Sequence, residues 1–118
     1  KTGKDIPIVS VETSLLDSLL VMSQKALGMV LIADNNKLIG IFTDGDLRRA
    51  IESNTNFQEL TIQKVMTRNC KSIGANEPAL IALEMMEKFS LNSLPVVDSD
   101  NQVVGALNMH TLIQAKLL

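Results

Sequence analysis

Leu27-Gly28-Met29-Val30-Leu31-Ile32-Ala33-Asp34 and Leu91-Asn92-Ser93-Leu94-Pro95-Val96-Val97-Asp98 overlie one another with apolar positions on apolar positions. The offset is 64 residues, from 27 to 91. Upstream, Ser18-Leu19-Leu20-Val21-Met22 falls on Ala82-Leu83-Glu84-Met85-Met86 at the same offset. Downstream, Leu38-Ile39-Gly40-Ile41-Phe42 falls on Val103-Val104-Gly105-Ala106-Leu107, now at an offset of 65, from 38 to 103. The extra residue sits between the apolar runs, where Asn35-Asn36-Lys37 faces Ser99-Asp100-Asn101-Gln102. A turn tip absorbs one residue, whereas a strand would send every later side chain to its opposite face. The chain is an internal duplication.

Each half has one coarse pattern. Ser14 or Thr13 caps a helix to about Ala26, with Leu15, Leu16, Leu19, Leu20 and Met22 on its apolar side. In the second half Asn76 is the expected cap, Glu77 and Pro78 form the first turn, and the helix reaches about Phe89. A hairpin follows each helix, Met29–Ala33 with Leu38–Phe42 and Ser93–Val97 with Val103–Leu107. Closing helices are expected from about Asp44 to Ser53 and from about Met109 to Lys116. Short strands precede the first helices, at Ile8–Val11 and Lys71–Ile73. Ser53–Leu60 reads as a polar loop, and Thr61 as the cap of a short helix ending near Met66. The fold class is therefore α/β (α+β), two β-α-β-β-α repeats over residues 1–60 and 61–118. Two copies packed through their sheets, with a pseudo-twofold axis, would bury what one copy cannot. Equivalent segments would then border two related pockets.

Composition removes several classes of function. The 118 residues hold three Phe and no Trp or Tyr, so the core must be aliphatic. Eleven Lys and Arg against 13 Asp and Glu, with no basic run, exclude a nucleic-acid footprint. No aromatic platform exists on which single-stranded bases could stack. The lone Cys70 cannot close an intrachain disulfide and reads as a small packed thiol. No apolar run approaches a membrane span and no signal peptide is visible, which leads us to expect a cytoplasmic protein without a membrane partner. The opening Lys1-Thr2-Gly3-Lys4, without Met, reads as linker from a longer protein.

The stretch with most chemistry is Gly40-Ile41-Phe42-Thr43-Asp44-Gly45-Asp46-Leu47-Arg48-Arg49. A strand ends at Phe42 and a helix begins at once, which places Thr43 at the cap. Free N–H groups at a helix start favour anions. Thr43 and Asp46 project from one turn, and a carboxylate can accept bonds from two neighbouring ribose hydroxyls. The same pair also matches a capping box, worth about 1 kcal/mol to the helix by itself. Capping and binding are compatible. Gly45 admits close approach to the backbone. Arg48 and Arg49 point away from the buried face of Leu47, Ala50 and Ile51, toward solvent or a phosphate.

The second copy reads Asn108-Met109-His110-Thr111-Leu112. Asn108 still caps, but Thr111 stands where Asp46 supplies a carboxylate, so the two pockets should differ. His110 is the only histidine and has no companion at metal-ligand spacing, so no metal site is expected. It reads as a polar helix-start residue within reach of a ligand. The six methionines are core or interface filler. No nucleophile–base pair or phosphate-binding glycine loop is present.

The double repeat, with Leu94-Pro95-Val96-Val97-Asp98, Val65-Met66-Thr67 and the Gly40–Leu47 stretch, resembles a CBS domain pair, or Bateman module, over nearly the whole chain. The resemblance implies a nucleotide in the cleft and regulation of an attached enzyme or transporter. It implies Thr43 and Asp46 as a ribose-binding pair with Ile8 and Val9 beside them, and Asn108 and Thr111 as the divergent second pair. Leu27-Gly28-Met29, the run Thr43–Arg49 with its Asp44, and Met109-His110 further resemble the C-terminal regulatory region of bacterial D-arabinose 5-phosphate isomerases. Those usually carry His-Met-His-Asp-Leu where this chain has Asn108–Leu112. That resemblance implies a homodimer joined to an N-terminal sugar-isomerase domain that makes D-arabinose 5-phosphate for Kdo and lipopolysaccharide synthesis. It implies no required cofactor, an effector such as CMP-Kdo or an adenine nucleotide, and no catalytic residue in this chain. A ligand-free dimerisation module, or a CBS pair from another enzyme or transporter, is the competing expectation.

Overall fold

The structure is a computed structural model and describes residues 6–25, 28–53 and 56–109. It divides into two compact units, one spanning Pro7–Cys70 and one that takes in the chain from Lys71.

The first unit is built on a sheet in the order β1-β2-β3-β4. Strand β1 (Ile8–Val9) lies parallel to β2 (Met29–Asp34), with Ile8 opposite Leu31 and Val9 opposite Ile32. Parallel neighbours need a crossover, and helix α1 (Leu15–Lys25) supplies it. Ser14 starts that helix as expected, its Oγ accepting the Asp17 N–H at 3.0 Å. Strand β3 (Lys37–Thr43) returns antiparallel to β2 around Asn35 and Asn36, whose φ angles are +51° and +66°. A two-residue turn with both residues left-handed matches the twist of a hairpin, and Asn tolerates that backbone. Helix α2 (Asp44–Ser53) follows directly, with the bounds expected from sequence.

A core of Val9, Leu15, Met22, Val30, Ile32, Phe42 and Ile62 fills this unit. Ile62 comes from the segment after α2, which folds back on the first repeat. There the Leu15 N–H donates to the Leu60 carbonyl and the Ile62 N–H to the Thr13 carbonyl, each at 2.8 Å. The same segment ends in β4 (Thr67–Arg68), paired antiparallel to β3 with Gly40 opposite Arg68 and Ile41 opposite Thr67. Gly40 is required here. A Cβ on it would lie 2.6 Å from the Thr67 carbonyl oxygen, so any other residue would push β4 away.

The second unit repeats the plan in the order β5-β6-β7. Strand β5 (Ile73–Gly74) runs parallel to β6 (Ser93–Val97), α3 (Ala79–Lys88) crosses between them, and β7 (Val103–Asn108) closes the hairpin. Ile73, Ala82, Met86 and Leu94 form its core. Its turn accounts for the repeat's change of offset. Asp98 Oδ1 accepts the N–H groups of Asp100 and Gln102, both at 2.9 Å, and Asn101 sits at φ +62°. Three residues thus turn here where Asn35-Asn36 suffices in the first copy.

Several expectations require correction. Asn76 does not cap α3: the Glu77 N–H turns back to the Gly74 carbonyl at 3.1 Å, so Asn76 belongs to that turn, and Pro78 precedes the helix without a side-chain cap. Thr61 precedes only a single 3-10 turn, Ile62–Lys64, and makes no side-chain cap; its Oγ1 is buried without a hydrogen-bond partner. Strand β1 stops at Val9 because the Ser10 N–H is diverted to Thr13 Oγ1 at 3.1 Å. Strand β5 begins two residues later than the expected Lys71–Ile73 and ends one later, at Ile73–Gly74, and the loop after α2 holds a 3-10 turn at Phe57–Glu59. Met109 follows β7, its N–H donating to the Asn92 carbonyl at 2.8 Å, and the expected closing helix beyond it lies outside the described residues.

Helix α3 ends on a left-handed serine. The Leu91 N–H donates to the Met86 carbonyl at 2.7 Å and the Ser90 N–H to the Glu87 carbonyl at 3.3 Å, with Ser90 at φ +56°. This is the paired bonding of a Schellman stop, a position that favours glycine. Ser90→Gly is therefore expected to stabilise the chain by about 0.5–1 kcal/mol. A higher urea midpoint at unchanged slope would show it, and a lower midpoint would contradict it.

Candidate functional site at the start of helix α2

Thr43 is the last residue of β3 and Asp44 the first of α2, so the chain passes from strand to helix without a loop. Asp46 lies on the first turn and is only 4% exposed. Its carboxylate faces inward and is held on both oxygens. Oδ2 accepts the Thr43 N–H at 2.9 Å and the Thr43 hydroxyl at 3.2 Å. Oδ1 accepts the Thr67 hydroxyl at 2.7 Å and a charge-assisted bond from Arg49 Nη2. In return the Asp46 N–H approaches Thr43 Oγ1 at 3.5 Å. The reciprocal bonds between Thr43 and Asp46 make the capping box that the sequence pattern allowed, with Asp in place of the usual Glu.

Four donors fill the accepting positions of one carboxylate. Two of them, the hydroxyls of Thr43 and Thr67, present the chemistry of a vicinal diol. A ribose hydroxyl could exchange with that of Thr43 on Oδ2 at little cost in hydrogen bonding. Arg49 folds back over the turn, for a Cβ on Gly45 would lie 3.6 Å from Arg49 Nη1. Its side chain nonetheless remains 68% exposed, so the guanidinium keeps donors free for solvent or an anion beside the helix start. A Cβ on Gly45 would meet only ordinary contacts, so space in the fold does not demand glycine there.

Thr43 thus immediately precedes α2, and Asp44, Asp46 and Arg49 lie within its first two turns, with Arg48 exposed one residue before Arg49. Ile8 and Val9 pair with the middle of β2, opposite Leu31 and Ile32, two and three residues along from Met29, which Thr43 faces. Side chains alternate along a strand, and here Val9 turns into the core while Ile8 is half-buried on the other face. Asn108 ends β7 opposite Ser93, the position Thr43 holds in the first copy. His110 and Thr111 lie outside the described residues. Among the described residues no three His, Cys, Asp or Glu cluster as metal ligands, and no helix is long and apolar enough to cross a membrane.

The sequence reading missed Thr67 as a site residue. It lies 21 positions after Asp46, on a two-residue strand too short and too polar to show periodicity. Only Gly40 hinted at it, as a glycine inside a strand that marks close backbone approach.

Cys70 closes this unit within the field of Asp46. Burial raises its thiol above the ordinary 9.0, a hydrogen bond from its own backbone partly lowers it, and the negative charge of Asp46 adds to the rise. The native state therefore keeps the proton longer than the unfolded chain does. This contribution to stability is unchanged below about pH 9 and falls as pH climbs from the unfolded toward the folded value. We expect iodoacetamide at pH 8.5 to alkylate native Cys70 more slowly than the urea-unfolded chain. Equal rates would contradict the rise.

The CBS domain family model matches residues 3–53 and 62–118. The arabinose 5-phosphate isomerase KdsD of Francisella tularensis is 44% identical over 117 residues, which is 99% of this chain but 36% of that protein. The chain thus spans about a third of the length of the curated relatives it matches. Among solved structures, the CBS domain pair of protein MJ0100, in complex with 5′-methylthioadenosine and S-adenosyl-L-methionine, superposes with a TM-score of 0.84 at 25% identity, covering 97% of this chain and 90% of that one. CBSX2 of Arabidopsis thaliana, solved with AMP, gives a TM-score of 0.82 at 22% identity over 99% of this chain and 91% of its own.

Proposed function

Because the chain belongs to the CBS domain family, we propose that it is a nucleotide-sensing regulatory module that reads its ligand at the Thr43–Asp46 turn. The observation that carries this reading is the Asp46 carboxylate, buried at a helix start and bonded by the hydroxyls of Thr43 and Thr67. A ribose hydroxyl replaces that of Thr43 on Oδ2 while Thr67 stays on Oδ1, and a phosphate lies toward Arg49 and the free N–H groups of the first turn. Ile8 flanks the base or sugar from β1. Adenosyl ligands in structures of the same fold support an adenine nucleotide as effector.

The parent protein on this reading is a D-arabinose 5-phosphate isomerase of the cytoplasm, supported by the KdsD relatives. Its catalytic sugar-isomerase domain precedes the present chain, which itself regulates. The nucleotide sugar CMP-Kdo, from the pathway that such an enzyme feeds, is then the second candidate effector. The second repeat, with Asn108 and Thr111 in place of Thr43 and Asp46, binds ribose less well or not at all.

Thermal unfolding with AMP, ATP, CMP and CMP-Kdo tests the proposal. A ligand at a hundred times its dissociation constant should add about 2.7 kcal/mol. Thr43→Ala should abolish the shift. No shift from any of the four at millimolar concentration, or a shift untouched by Thr43→Ala, would sink the reading.

A second reading rests on the exposed apolar side chains of α1 and α3. Leu16 and Leu20 stand one turn apart on α1, and Leu80, the repeat-equivalent of Leu16, stands beside Ile81 on α3. These faces suit a homodimer, whether or not a ligand binds. Sedimentation should show a dimer that Leu20→Glu weakens, and a wild-type monomer at all concentrations would count against it.

A further inference from the structure

We propose that Thr67, on the strand that leads out of the first unit, is the residue that positions the Asp46 carboxylate for its ligand. This inference rests on the ribose reading of the Thr43–Asp46 turn and extends it to a third element.

Two donors hold Asp46 Oδ1, and they differ in kind. Arg49 reaches it from a long, largely exposed side chain on the same helix, which can swing away at little cost. Thr67 reaches it from β4, whose backbone is registered on β3 with Thr67 opposite Ile41 and Arg68 opposite Gly40. A β-branched residue on a paired strand has few rotamers, so its hydroxyl is a nearly fixed point. The bare Cα of Gly40 brings that strand close enough for the 2.7 Å bond. With Oδ1 pinned by Thr67, Oδ2 stays on the Thr43 N–H and hydroxyl at the helix start. Without it, the carboxylate can rotate toward the Arg49 guanidinium and leave the Thr43 amide. Thr67 therefore sets which oxygen meets a diol, through Asp46.

The residue also stands three positions before the end of the first unit at Cys70. The segment that joins the repeats thus supplies a donor to the first repeat's site. Neither half of the duplication, cut at the helix ends, would carry the whole of it.

The test uses the full 118-residue chain with Thr67→Val, which keeps the shape and removes the hydroxyl, and Thr67→Ser, which restores a hydroxyl. AMP and CMP binding are measured by calorimetry below each variant's unfolding range. Thr67→Val should weaken binding roughly tenfold, Thr67→Ser should recover most of it, and Thr67→Val should add little in an Asp46→Asn background. Amide exchange without nucleotide supplies an independent readout. Thr67→Val should speed exchange of the Thr43 N–H beyond any change at Val30 and Ile32 in the same sheet. Wild-type affinity in Thr67→Val, or exchange that is unchanged at Thr43 or uniformly faster across the sheet, would overturn the assignment. A wild-type chain that binds neither nucleotide would instead refute the binding reading, and Thr43 exchange would still decide whether Thr67 positions Asp46.

Discussion

Asp46→Ala should unfold at a much lower temperature than the wild type and should no longer respond to nucleotide. The substitution removes one carboxylate but strands four donors. The Thr43 amide loses its partner at the junction of β3 and α2, and the capping box goes with it, at about 1 kcal/mol. The Thr67 hydroxyl loses a bond to a charged group, worth about 1.5–3 kcal/mol. Arg49 is mostly exposed, and solvent replaces its bond at little cost. The total is about 2–4 kcal/mol, or roughly 10–20 °C in the unfolding midpoint of a chain this size. Asp46→Asn keeps the shape and one acceptor and should cost about half as much. Calorimetric melting of both variants checks the order. If Asp46→Ala melts with the wild type, the carboxylate network contributes nothing to the fold.

Phe42→Ala should cost still more. Phe42 is the largest fully buried side chain of the described residues and sits at the end of β3, opposite Val30 and one residue before Thr43. It packs in one cluster with Leu15, Met22 and Ile62, so it joins the sheet, the helix α1 and the segment that returns from α2. Truncation leaves a cavity bounded by three elements that cannot all move inward, and the expected loss is about 3–5 kcal/mol. The repeat-equivalent Leu107 is only half-buried, so Leu107→Ala should cost clearly less. Urea unfolding of the two variants measures the difference. Equal losses would mean that the two copies pack their hairpins alike, against the burial seen here.

These two residues also show what could be read without coordinates. Phe42 belongs to a long apolar run that ends in a polar turn and repeats 65 positions later, so its strand, its hairpin partner and the helix after it were all legible. The change of offset correctly located the longer turn, because a three-residue connection needs one left-handed residue where a two-residue connection needs two. Thr43 and Asp46 were legible as a pair because three positions on one helix turn bring any cap and its partner together. Thr67 was not. Its bond to Asp46 spans 21 residues, and nothing in Thr67-Arg68 announces a strand. Asn76 misled for the complementary reason: it is a good cap by type, but the turn from Gly74 to Glu77 takes the backbone past it before α3 begins. Local chemistry was readable where the contact was local, and hidden where a return of the chain made it.

On the function proposed above, the first repeat holds a nucleotide at the Thr43–Asp46 turn while the second, lacking that carboxylate, holds it poorly. A nitrogen–proton NMR titration of the chain with AMP, repeated with CMP-Kdo, tests this residue by residue. Saturable shifts should be largest at Thr43, Asp44, Gly45 and Asp46 and extend to Ile8 and Thr67, with much smaller ones at Asn108 and Met109. Shifts confined to Asn108 and Met109, or none at millimolar ligand, would contradict it.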